Sequence, residues 1–165
     1  MSLKFNTDEL TDLMKNFYTL TGIRIVLFDE KYNEIFAYPA ECSPFCHHMR
    51  KDPNFYTMCC QSDKISFETC KKSGCLTMYT CHAGLIEATY PIRNDGSIIG
   101  YIMFGQVSDS KEKEIFRQNL LELSKKYSEN TEIDELVKKV KFKTQKQLVA
   151  ASKILEACTS YILLK

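Results

Sequence analysis

Apolar positions change period along this chain, and the changes mark out its elements. Leu10, Leu13, Met14, Phe17 and Leu20 recur at helical spacing and Gly22 follows them, so the pattern predicts an amphipathic helix of about four turns. Asn6 or Thr7 is placed to cap it, with Glu9 completing a capping box from Asn6. Ile23 to Asp29 is β-branched and aromatic, which predicts a strand. Glu30 to Asn33 supplies a turn, and Glu34 to Tyr38 returns as a second strand.

Pro44 opens a short helix within Cys42 to Cys46. Asp52-Pro53 offers a cap and a first-turn proline for a longer helix, expected to end at Ser73-Gly74. Three strand-like runs follow: Cys75 to Cys81, Leu85 to Ile92 and Ser97 to Val107, with Asn94-Asp95-Gly96 as a hairpin turn between the last two. Gly100 and Gly105 lie inside the final run and mark a bulge or a close approach of backbone or ligand. Ser110 to Tyr127, a segment around Ile133, Leu136, Val137 and Val140, and Lys143 to Lys165 predict three closing helices. The order α-β-β-α-α-β-β-β-α-α-α, with hairpins at both ends, predicts an α+β domain built on a five-stranded antiparallel sheet. Flanking helices and a Cys-rich helical insertion complete the expected fold.

A length of 165 residues suits one domain, with Met1 to Leu3 read as residues added to the natural chain. Apolar residues make up 44% and charged ones 26%, an ordinary globular balance. The net charge of +1 gives no reason to expect a surface for nucleic acid or anionic membrane. No apolar run approaches the roughly 18 residues of a membrane span, and the start is not a signal peptide, so a cytoplasmic location is expected. The last helix stays apolar to its end, at Tyr161-Ile162-Leu163-Leu164. It reads as a signalling helix that leads to an output domain. Leu10, Leu13, Phe17 and Leu20, with that apolar tail, are expected to form a homodimer interface.

Cysteine changes the picture most. Eight are present, and seven fall between Cys42 and Cys81. In a cytosolic chain that density points to metal or to reactive thiols. A helix packed on the strand that follows it can bring Cys46, Cys60 and Cys81 together, with His47 or His82 nearby. Zinc or an iron–sulfur cluster suits such donors, with a fourth ligand from Cys42, His47, Asp63 or His82. Core packing of small apolar thiols is the other reading, because no Cys-x-x-Cys pair occurs. Cys81-His82 and Cys46-His47 are poor catalytic dyads, since adjacent strand residues face opposite ways. No phosphate loop or nucleophile elbow is present, and an enzyme is not expected.

Four ordered motifs add a resemblance. Phe45-Cys46-His47-His48-Met49-Arg50, Cys60-Gln61-Ser62-Asp63, Cys81-His82-Ala83-Gly84-Leu85 and Phe104-Gly105-Gln106-Val107 resemble the PocR sensory-domain family. The resemblance implies a divergent PAS-like fold that binds a short diol or hydrocarbon-like metabolite. It also implies a place beside a helix-turn-helix or kinase output domain. The family's motif cysteines fall on Cys46, Cys60 and Cys81, and its acidic position on Asp63. Cys42, Cys59, Cys70, Cys75 and Cys158 fall outside the pattern. A pocket is expected between the sheet and the inserted helices, with Phe45, Tyr79, Cys81, His82, Glu87 and Gln106 facing or supporting it. Met49, Met58, Met78 and Met103 are candidates to line it. The alternative function is a thiol-based metal or redox sensor using Cys46, Cys60 and Cys81.

Overall fold

A computed structural model describes residues 7–164. Helix α1 spans Thr7–Thr21; the capping role expected of Asn6 lies outside the described residues. Gly22, at φ 68°, ends the helix with its N–H on the Tyr18 carbonyl. Strands β1 (Arg24–Asp29) and β2 (Glu34–Tyr38) form a hairpin. Its turn is held by Asp29, whose Oδ1 accepts from the backbone N–H groups of Lys31 and Asn33.

Two helices then intervene, α2 (Pro44–Met49) and α3 (Pro53–Ser73). As the sequence predicts, Asp52 caps α3 by accepting from the N–H groups of Asn54 and Phe55, and Gly74 stops it at φ 66°. Strands β3 (Thr77–Thr80), β4 (Ile86–Asn94) and β5 (Ser97–Ser108) complete the antiparallel set, in the order β2-β1-β5-β4-β3. Asp95 and Gly96, both at positive φ, make the tight β4–β5 turn.

The closing segment is α4 (Lys113–Lys125), α5 (Ile133–Lys138), β6 (Lys141–Phe142) and α6 (Gln145–Leu164). Strand β6 was not expected. It pairs in parallel with the end of β5, so the sheet has six strands and is not wholly antiparallel. Two residues are too few to show a period, and Val140, assigned to the preceding helix, lies past its end. Ser110 does not cap α4; its Oγ accepts from the Glu112 N–H and shapes the turn before the helix.

Strand alternation divides the core. Ile25 and Leu27 on β1, Ala88 and Ile92 on β4, and Ile102 and Phe104 on β5 pack against α1 and α6. Leu10, Met14 and Phe17 are buried on this face. Of the α1 residues expected to meet a partner, Leu10 and Phe17 are therefore corrected to core positions, Leu13 is half-buried, and only Leu20 is largely exposed, at 80%. The opposite face carries Phe28, Tyr101 and Met103 and packs against Phe67 and Cys70 of α3. A third core joins α2, α4 and α5 around Phe45, Phe55 and Leu120.

Candidate functional site

Helix α3 does not close fully on the sheet. It leaves a cavity of about 440 Å³ between itself, β1, β4 and the end of β5. The apolar wall comes from Val26, Phe28, Tyr32, Phe67 and Met103. Phe67 stacks on Tyr32 at 4.7 Å and meets Phe28 edge-on at 4.8 Å, which fixes that wall. The polar end is made by Arg50, Asp63, Glu87 and Gln106, each from a different element or its cap.

Glu87 points inward because its neighbours in β4, Ile86 and Ala88, face the other core. Tyr79, opposite it on β3, places its hydroxyl 2.6 Å from Glu87 Oε2 and 3.0 Å from Asp63 Oδ1. A phenol has one proton to give. Both contacts are favourable together only when one carboxyl keeps its own proton and donates to the phenol oxygen. Burial first, and then the neighbouring Asp63, push Glu87 up to about 7. Asp63 is also raised by burial, although Arg50 and the Tyr79 hydroxyl oppose this. The three side chains form a buried network that shares protons.

Gln106 stands out in the backbone. It is not a glycine, yet its φ is 62°. Ile86 pairs with Val107 and Glu87 with Gly105, so Gln106 is the extra residue of a β-bulge. Its Oε1 accepts from the Ser43 N–H at 2.9 Å and ties β5 to the start of α2. Glycine precedes it because a Cβ on Gly105 would lie 2.5 Å from the Ile86 carbonyl oxygen.

The family model for the sensory domain found in PocR matches residues 4–165. The chain belongs to the PocR sensory-domain family. It is 25% identical over 154 residues to the regulatory protein PocR of Salmonella typhimurium, a match covering 92% of this chain and 49% of that protein. The chain thus spans about half the length of that relative. No solved structure matches it significantly. PocR domains are a regulatory sensory family and not an enzyme family.

Within this PocR domain the expected site residues separate. Glu87 and Gln106 line the cavity, and Tyr79 supports Glu87 from behind. Cys81 and His82 lie deeper, around a narrow gap beside Arg50 and Cys59. Phe45 lies apart from the cavity; it is 1% exposed, in the α2–α4–α5 core, with its ring edge-on to Phe55. Of the four candidate methionines, Met103 lines the cavity.

The expected grouping of thiols is corrected in one member. Cys46 and Cys81 do border the same gap, but the third thiol there is Cys59, not Cys60. Successive helical residues diverge by about 100°, so Cys60 leaves that gap and lies at the exposed rim of the 440 Å³ cavity. Cys59 Sγ lies 3.2 Å from His82 Nε2, and Cys42 Sγ accepts from Arg50. His47 is exposed, while His48 bonds Ser128. Among the described residues no set of three or more His, Cys, Asp or Glu side chains is arranged to hold a metal. Burial also raises the thiols, Cys59 and Cys81 to about 11. Cys70 is buried beneath β4, and Cys75 is exposed.

Sequence reasoning missed Arg50 and the aromatic wall. Arg50 closes the first quoted motif and follows Cys46 by one helical turn, so its place beside the cysteines was open to reading. Phe28, Tyr32 and Phe67 gave no such signal, since they come from a strand, a turn and a helix distant in sequence.

Proposed function

We propose that this chain is the small-molecule-binding sensory module of a cytoplasmic transcription regulator or signal-transduction protein, with no catalytic role. The observation that carries the reading is the cavity of about 440 Å³, apolar on one wall and polar at one end. A PAS-like fold is supported by antiparallel strands with helices inserted after the second. A short diol or hydrocarbon-like metabolite is the ligand class that the family relationship favours. Carboxyl oxygens at Asp63 and Glu87 would accept from hydroxyls while the aromatic wall takes the hydrocarbon.

Pairing of two chains through α6 is part of the reading. Ala150, Ile154, Ala157 and Tyr161 follow one another at four-three-four spacing and are exposed, as in a coiled-coil seam. A helix-turn-helix or kinase domain would receive the signal. No described helix is long and apolar enough to cross a membrane.

The test is a thermal-shift screen of short diols, alcohols and small aromatics, repeated on Met103→Trp to fill the cavity. A true ligand at about one hundred times its Kd stabilises by roughly 2.7 kcal/mol. The shift should vanish in Met103→Trp. A screen that moves nothing, or a shift that survives the filling variant, refutes the reading.

A further inference from the structure

One cavity group lacks the partner that its chemistry suits. Arg50 presents a planar fork of five N–H donors at the polar end. Its hydrogen bond runs from Nη1 to Cys42 Sγ at 3.1 Å, and thiol sulfur is a weak acceptor. Its Nε is buried without a partner. Among the described residues no carboxylate lies within 4 Å of the Arg50 guanidinium, although Asp63 and Glu87 feel its charge from further away. Arg24, the other arginine at the cavity, is already committed to the carbonyls of Pro39, Ala40 and Glu41.

Charge points the same way. Arg24, Arg50 and Lys64 line the cavity against Glu34, Asp63 and Glu87. When the Asp63–Glu87 pair keeps one proton, as the two Tyr79 contacts require, the lining carries one positive charge in excess. The site is therefore matched to a ligand with a single negative charge. The carboxyl pair also has lone pairs to offer a hydroxyl, and Phe28, Tyr32 and Phe67 offer a flat apolar surface.

We propose that the cavity takes a 2-hydroxycarboxylate with an apolar tail, its carboxylate on the Arg50 fork, its hydroxyl on the Asp63–Glu87 pair and its tail on the aromatic wall. Arginine is the side chain best suited to planar, two-point recognition of a carboxylate. The inference rests on the ligand-sensing reading and names the ligand's polar end.

Isothermal titration of the purified chain with three matched probes tests it: phenyllactate, 3-phenylpropanoate, which lacks the hydroxyl, and 3-phenylpropane-1,2-diol, which lacks the carboxylate. Phenyllactate should bind at least about tenfold more tightly than either. Arg50→Gln should abolish its advantage over the diol. Arg50→Lys, which keeps the charge and loses the fork, should fall between. Circular-dichroism melts of both variants establish that they fold. If the diol binds as tightly as phenyllactate, the carboxylate assignment is overturned and the sensing reading stands. If 3-phenylpropanoate matches phenyllactate, the hydroxyl contact is overturned. If none of the three binds while the diol screen above succeeds, the inference falls alone.

Discussion

Replacing Glu87 with Gln should make this domain more stable at pH 8, although it alters a buried hydrogen-bonded residue. In the folded chain Glu87 keeps its proton up to about pH 7, against an ordinary value of 4.5. Between those values the folded state binds more protons than the unfolded one. Stability is therefore fully present below about pH 4.5 and is lost as pH rises through about 7. At 1.36 kcal/mol per unit, the loss amounts to about 3 kcal/mol by pH 8. A glutamine has the same shape, its carbonyl can accept from Tyr79, and its amide can donate to Asp63. Urea unfolding of both proteins at intervals from pH 4.5 to 8 measures the difference, and comparing the two cancels the histidines. The curves should coincide near pH 4.5 and diverge to about 3 kcal/mol in favour of the variant. A variant no more stable than the parent at pH 8, or a difference that does not change with pH, would falsify the proton-sharing account.

Three other substitutions probe separate parts of the fold. Phe45→Ala should cost about 3–5 kcal/mol in urea unfolding, because Phe45 is fully enclosed, yet any ligand-induced shift should persist if its role is only packing. Gly105→Ala should cost more than about 2 kcal/mol by the same assay, since its Cβ has backbone on two sides at 2.5 and 2.6 Å. An equal unfolding free energy would show that the bulge relaxes. Asp52→Ala should lower stability by about 1 kcal/mol through loss of the α3 cap, and Asp52→Asn should restore most of it.

Elements whose signals are local were legible in the sequence. Asp52-Pro53 and Gly74 bracketed α3, Asp95-Gly96 placed the β4–β5 turn, and strand period gave the antiparallel pairs. The cavity's place between sheet and inserted helices followed from their order, and Glu87 and Gln106 followed from the family motifs. What failed depended on three-dimensional direction. Cys59 and Cys60 are neighbours in sequence, but one helical step sends one thiol to His82 and the other to the exposed rim of the cavity. Leu10 and Phe17 looked like interface residues because no sequence pattern reveals that the sheet behind them already covers them. Strand β6 is too short for any period, and it exists because the end of β5 has a free edge there.

That two-residue strand has a mechanical consequence. Val107 and Ser108 follow directly on Gln106, and they are the residues that pair with Lys141 and Phe142. Helix α6 begins three residues after Phe142 and runs for 20 residues, about 30 Å at the helical rise. The cavity rim is thus bolted to the root of a long lever. A tilt of about 10° at that root would sweep the far end through roughly 5 Å, as simple trigonometry on that length gives. Displacements too small to notice at a ligand would become differences of a whole helical turn at the far end of α6.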